Sequence, residues 1–310
     1  MITTKSLDEM TKAYHYPVMW EEAIDSLKLS DREVIIDCTT GLGSHGYKMM
    51  QAAKRDSFYI GIDKDSQSLK EAYWKLKPFE GRFVLLQEDF MNLDKVCEEF
   101  DIKKADIFFF DLGISTYQLN NAQRGFSFLG EGALDMRINK DNFLTAFDLI
   151  NNLSQPELID IFKKFGEERY SKRIAHAVVA NRRKESISTT TQLAEIIEKS
   201  VPVKSRFGRI HPATRVFQAL RIAVNRELEA LKIALPKAIN HLKKGGRIGV
   251  ISFHSLEDRI VKHTFKNFAS QNLLKIITKK PKRSTEEEKR INPASRSAKL
   301  RIAEKIDLNA

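Results

Sequence analysis

The sequence predicts an α/β protein: an open, mainly parallel sheet of the nucleotide-binding type, interrupted by a helical insertion. Three observations predict it. At residues 34–46, VIIDCTTGLGSHG, an apolar run closes on an acid and a glycine-rich turn follows. Further apolar runs repeat the pattern: FYIGID closes on Asp63, RFVLLQ is followed by Glu88-Asp89, and ADIFFF is followed by Asp111. After Asp111 this rhythm stops, and it resumes only at RIGVISF, residues 247–253.

Each element follows from a local pattern. The first strand leads through the glycine turn into a helix, and residues 58–63 form the second strand. Ser66–Leu76 reads as a helix with Ser66 as its cap, and residues 82–87 as a third strand. Residues 105–110 are uniformly apolar, as a strand buried on both faces must be. Residues 134–216 show no buried strand and read as helices at 158–165, 171–183 and 193–200, punctuated by Pro156, Pro202 and Pro212. A long helix at 213–242 is expected to bend near Pro236 and to end at Gly245-Gly246. Residues 247–253 form the fifth strand and 255–268 a helix, and 273–278 and 300–306 close the sheet. The expected domains are therefore 1–130 with 217–310, and an inserted helical substrate-recognition domain, 131–216.

Gly41, Gly43 and Gly46 fit the spelling G-x-G-x-x-G, which alone suggests a dinucleotide. Asp37 argues otherwise, because a carboxylate beside a phosphate-binding helix N-terminus repels phosphate. It would attract a ligand with an ammonium and a sulfonium, as S-adenosyl-L-methionine has, while Asp63 suits the ribose diol. The order D-x-x-x-G-x-G, then an acid closing the second strand, resembles class I (Rossmann-like) S-adenosylmethionine-dependent methyltransferases. Ligands in open α/β sheets bind beyond the carboxyl ends of the strands, so Asp37, Asp63 and Asp111 are expected on one rim. Asp89 reads better as a helix cap.

The formal net charge of +11 favours an anionic partner. Residues 275–305 hold eleven Lys or Arg against four Glu, and the insertion adds a cluster that includes Lys163, Lys164, Arg169, Lys172 and Arg173. The two cysteines, Cys38 and Cys97, form no metal or disulfide pattern and favour a reducing, cytoplasmic setting. No apolar run is long enough to span a bilayer. No metal is expected.

The chain resembles the RsmH (MraW) family of small-subunit ribosomal RNA methyltransferases. The segments that carry the likeness are HYPVMWEEAI from His15, the glycine loop, DLGISTYQLNNAQRGFSF from Asp111, ALDMRIN, GEERYSKRIA, HPATRVFQALRIAVNRELEAL, ISFHSLEDRIVK and NPASRSAKLRIAEK. It departs from the family at Ser44, where glycine is common, and at Tyr117, where proline is common. The resemblance implies N4-methylation of a decoding-centre cytidine in 16S ribosomal RNA, within an assembled or nearly assembled 30S subunit, with no membrane or DNA partner. It implies that Gly43, Ser44 and His45 line the methionine part of the cofactor, Asp63 holds the ribose, Phe90 covers the adenine, and Asp111 and Gln118 complete the site. Asp111 is the candidate to receive an N–H of the target amine. His254, at the end of the fifth strand, is a second catalytic candidate, and Phe126 and Phe128 are candidates to stack on the base. His211 and Arg215 are candidates for phosphate contacts. A non-catalytic assembly factor, a small-molecule methyltransferase and an NAD-dependent oxidoreductase are the competing readings.

Overall fold

The computed structural model describes residues 16–208 and 210–306. His15, where the family resemblance begins, lies outside them. The chain divides into two compact units, Met1–Gly113 with Leu228–Ala310, and Ile114–Glu227. The boundaries expected at 130/131 and 216/217 fall inside the second unit.

The first unit is built on one sheet. Its strands are β1 Val34–Asp37, β2 Phe58–Asp63, β3 Phe83–Gln87, β4 Ala105–Asp111, β5 Leu242–Ser252, β6 Leu274–Ile276, β7 Lys282–Arg283 and β8 Lys299–Lys305. They run in the order β3-β2-β1-β4-β5-β8-β6, with β7 paired to β8. β1 to β5 are parallel and β8 is antiparallel to β5. β4 shows why the sheet is central. Phe108 and Phe110 enter one core with Ile36, Ile60 and Ile62, while Ile107 and Phe109 enter the opposite core with Ile35 and Tyr59. Both faces are apolar, and each fully buried Phe contributes about 1.5–3 kcal/mol.

Helices cover the two faces. α1 (Trp20–Leu27) and α2 (Ser44–Ala52) bring Ala23, Leu27, Met49 and Met50 to the Tyr59 face. α3 (Ser66–Leu76) starts at Asp65, whose side chain accepts from Gln67 N, so the cap is Asp65 and Ser66 is the first helical residue. α4 (Leu93–Glu99) packs on the Phe108 face with Val96 and Cys97.

The second unit is helical. Its elements are α5 Thr116–Asn120, α6 Ala146–Asn152, α7 Gln155–Gly166, α8 Ser171–Arg182, α9 Thr190–Ser200, α10 Val203–Arg206 and α11 Ala213–Asn225. Capping boxes start four of them, the first being Ser115 with Gln118 at α5. Thr145 with Asp148, Ser154 with Glu157, and Thr189 with Gln192 each satisfy the first backbone donors reciprocally. Phe126 is buried in this unit's core, and Phe128 packs edge-on to Phe217. Phe126 is therefore a core residue, while Phe128 is partly buried and packs against that core. His211 stacks on Phe128 at 4.7 Å and its Nδ1 accepts from Ala213 N, so it starts α11. Arg215 stays exposed.

Two expected boundaries change. The long helix breaks not at Pro236 but at Arg226, which sits at φ 51° between α11 and α12 (Glu227–His241). A left-handed non-glycine residue costs about 1–2 kcal/mol. Side-chain bonds offset that cost. Asn225 accepts from Ile138 N and donates to Met136 O and Arg221 O, and Arg221 pairs with Glu227 at 2.8 Å. Gly245-Gly246 does not end a helix. Both glycines lie within β5, at a register shift against β4, where a Cβ on Gly246 would meet Asp106 O at 2.8 Å. α13 (Ser255–Ser270) and α14 (Glu286–Ile291) complete the first unit.

Candidate cofactor and catalytic site

Side-chain alternation places Asp37, Asp63 and Asp111 on the same face of the sheet as Tyr59, at the carboxyl ends of β1, β2 and β4. Their surroundings differ, and so do the tasks they can perform.

Asp63 is half-buried, and its two oxygens organise the turn around it. Oδ2 accepts from Gly41 N at 2.7 Å and Oδ1 from Asp65 N at 2.9 Å. A carboxylate accepts about four hydrogen bonds, so capacity remains for a diol. Burial pushes the Asp63 carboxyl up to about 6 against the lowering effect of those two N–H groups. Beside it Gly41 has φ +52°, and a Cβ there would meet only Thr39 O, at 3.9 Å. The space above the turn is open.

Asp37 has a different role from the one expected of it. It is fully buried, and its carboxylate accepts from Tyr59 Oη at 2.8 Å and Thr39 N at 3.0 Å. With no exposed surface it touches no ligand; it anchors the loop to β2. Gly46 belongs to the same arrangement, since a Cβ would lie 2.5 Å from the Tyr59 hydroxyl. The third glycine of the motif thus answers to Tyr59, a residue sequence reading passed over. Its parity with Asp63 along β2 was the available signal.

Burial pushes the Asp37 carboxyl up to about 7. The sign of the stability effect follows. The folded state holds this proton more tightly than the unfolded state, so the contribution is full below 3.8 and is lost as pH rises through about 7. Asp63 acts in the same direction up to about 6. Asp37→Asn mimics the protonated acid and is expected to flatten the fall between pH 4 and 7, by at most about 4 kcal/mol. Urea midpoints measured across that range for parent and variant check this, and parallel curves would refute it.

Ser44 and His45 open α2. Ser44 Oγ accepts from Lys75 Nζ at 2.7 Å. The His45 ring lies 5.0 Å from Phe109, with Nε2 2.9 Å from Val18 O and Nδ1 3.3 Å from Asp111 Oδ2. A carbonyl only accepts, so Nε2 is the donor. Two facing lone pairs at Nδ1 and Oδ2 would repel, so one proton lies between the ring and Asp111. Asp111 also donates its backbone N–H to Thr39 Oγ1 at 2.6 Å. Among the described residues its Oδ1 is buried without a hydrogen-bond partner. Burial, then the charges of Asp37, Glu257 and Glu288, hold the Asp111 carboxyl well above the usual range.

The remaining candidates are dispersed. Phe90 follows Asp89, whose side chain accepts from Met91 N and pairs with Lys64 at 2.6 Å. The half-buried Phe90 ring meets Phe110 edge-on at 5.7 Å, with Lys64 Nζ 5.4 Å from its centroid. Gln118 belongs to the second unit, where it is buried and exchanges capping bonds with Ser115. His254 is turned into the start of its own helix. It caps α13 through Nδ1 and Glu257 N at 3.4 Å, with Nε2 3.2 Å from Glu257 Oε1. The helix cap occupies Nδ1, while the buried Nε2, beside Glu257 Oε1, makes no hydrogen bond among the described residues.

The residues fit S-adenosylmethionine. An open left-handed glycine turn adjoins a carboxylate with spare acceptor capacity, and an orphaned buried carboxylate oxygen stands at the end of the fourth strand. With the strand order β3-β2-β1-β4-β5 and an antiparallel β8 beside β5, these features define a Rossmann-like methyltransferase that takes S-adenosylmethionine. The chain belongs to the MraW methylase family, whose family model matches residues 12–306. It is 46% identical to ribosomal RNA small subunit methyltransferase H of Sulfurihydrogenibium sp. (strain YO3AOP1), over 94% of this chain and 99% of that protein. It is 47% identical to the protein of the same name from Persephonella marina, with the same coverage. The Clostridium botulinum (strain 657 / Type Ba4) protein of that name is 44% identical, again over 94% and 99%.

Proposed function

We propose that the protein methylates small-subunit ribosomal RNA at the exocyclic N4 amine of a decoding-centre cytidine. The observation that carries this is Asp111 Oδ1, a buried acceptor at the end of β4 with no partner among the described residues. An amine N–H satisfies it, and accepting that bond turns the nitrogen lone pair toward the methyl group. The cofactor supplies an activated methyl on a positive sulfur. Alignment of the two can supply roughly 7–11 kcal/mol in favourable cases. Asp63 takes the ribose diol, the Gly41–Gly43 turn and Ser44 border the methionine part, and Phe90 borders the adenine.

Attack through ring carbon by way of a cysteine adduct has no support. That chemistry needs an accessible thiolate, and both cysteines of the chain are buried. Burial pushes the Cys38 thiol well above its usual range and Cys97 to about 11.

The surface charge favours RNA over a small molecule. Lys275, Lys279, Lys280, Arg283, Arg290 and Arg296 are exposed on the first unit. Not every basic residue of 275–305 is available. Lys299 and Arg301 both pair with Asp258, at 3.1 and 2.7 Å, so those two hold the fold rather than phosphate. In the second unit Lys163, Lys164, Lys172 and Arg173 are exposed. Exposed Lys and Arg side chains of this kind contact phosphates, which position RNA and leave sequence choice to the site. No helix among the described residues is long and apolar enough to cross a membrane.

Mass analysis of small-subunit rRNA from cells lacking the protein tests the reading. One cytidine is expected to lose one methyl group, regained when the parent protein is restored. An unchanged methylation pattern would refute it.

A further inference from the structure

One hydrogen-bonded chain runs from the C-terminal segment to Asp111. Glu288, on α14, is 8% exposed, and its Oε1 accepts from Met19 N at 2.7 Å. The carbonyl of that same peptide unit, Val18 O, accepts from His45 Nε2 at 2.9 Å. The other ring nitrogen meets Asp111 Oδ2 at 3.3 Å. Met19 is 1% exposed and holds φ 53°, a left-handed conformation that costs a non-glycine residue energy. The same C-terminal segment grips the chain again where Asn292 Nδ2 donates to Tyr16 O at 3.0 Å. Two bonds, from Glu288 and His45, therefore aim one strained peptide unit in opposite directions.

We propose that Glu288 is a positioning residue of the methyl-transfer site, acting on Asp111 through the Val18–Met19 peptide unit and the His45 ring. The inference rests on reading Asp111 as the acceptor of the target amine. A carboxylate on the peptide N–H polarises the unit, and the carbonyl becomes a stronger acceptor. Val18 O then fixes the Nε2–H tautomer of His45 and points Nδ1 at Asp111. A proton held between Nδ1 and Oδ2 leaves Oδ1 as the lone-pair acceptor whichever partner formally owns it. The groups facing Asp111 are His45, Asp37, Glu257 and Glu288, and those facing Glu288 are Glu21 and Glu22. Apart from the His45 ring these are carboxyl groups, and each negative charge among them favours retention of the shared proton. Loss of the Glu288 charge must lower the pH at which the pair releases it.

The test is Glu288→Gln in the full-length protein, which keeps the acceptor and the shape but removes the charge. The ring nitrogens of His45 are followed by ¹⁵N NMR against pH without cofactor, beside a thermal melt and the kcat and KM for small subunits. The midpoint sensed at Nδ1 is expected to fall by about half a pH unit or more, and kcat at neutral pH several-fold, with KM for the subunit unchanged. A parent-like midpoint, with or without a lower Tm, overturns the proposal and leaves Glu288 as a pin for residues 16–19. If the Gln variant does not fold, Glu288→Asp, which withdraws the charge from the peptide, is read in the same way. A lowered midpoint supports the proposal and a parent-like one overturns it. Failure of the functional reading is separable, because a parent protein that leaves rRNA unmethylated sinks the amine assignment without altering the titration.

Discussion

Asp111→Asn is expected to lower single-turnover methylation of small ribosomal subunits by about 100-fold or more while leaving the fold intact. The wild-type Oδ1 is a buried acceptor with no partner among the described residues, and Oδ2 shares a proton with His45 Nδ1. The amide breaks this arrangement. If its nitrogen faces His45, it can donate to Nδ1, and its oxygen remains as a weaker, neutral acceptor for the amine. If it turns the other way, it presents N–H groups to an amine that also donates. Either orientation loses the charge-assisted bond that orients the nucleophile. The melt should move little, or upward at alkaline pH, because the fold no longer buries an acid held far above its usual range. A folded variant with parental turnover would remove Asp111 from the chemistry.

Asp63→Ala is expected to weaken S-adenosylmethionine binding by about 10- to 150-fold, the range for losing a charge-assisted hydrogen bond worth 1.5–3 kcal/mol. Calorimetric titration measures it directly. Part of the loss would arise in the protein itself, since Gly41 N and Asp65 N both lose their acceptor. Asp63→Asn separates the two contributions. It keeps one carbonyl acceptor for the loop and loses the charge and the second acceptor at the diol. An intermediate affinity is expected for Asn, and an Ala variant that binds like the parent would refute the assignment.

The fold was legible in the sequence because its signals are local. A strand buried on both faces must be continuously apolar, and residues 105–110 are. The capping pairs begun by Thr145, Ser154 and Thr189 are also local signals, yet the helix at Ala146–Asn152 went unread and the other two helices begin three residues before their expected starts. The carboxyl-end acids of β1, β2 and β4 were readable as one rim because parallel strands in register end together. The capping role of Asp89 was equally local. The MraW likeness extended this reading along almost the whole chain.

Tertiary structure decided what each of those side chains does. Asp37 and Asp63 look alike in sequence, each closing an apolar run, yet Tyr59 draws Asp37 into the core and leaves Asp63 at the rim. Arg226 breaks a helix that Pro236 does not, because Asn225 finds partners at Met136 and Ile138, far back along the chain. His254 stands at the end of the fifth strand, and its Nδ1 caps the helix that follows. Glu288 lies in a segment that charge alone assigned to RNA, and it contacts Met19 across 269 residues of sequence. The sequence by itself determined which residues form strands, turns and caps, since those preferences act over a few neighbouring residues. Which acid faces a ligand, which is buried, and which carboxylate holds a strained peptide against His45 depend on partners that only the packed chain brings within hydrogen-bond reach.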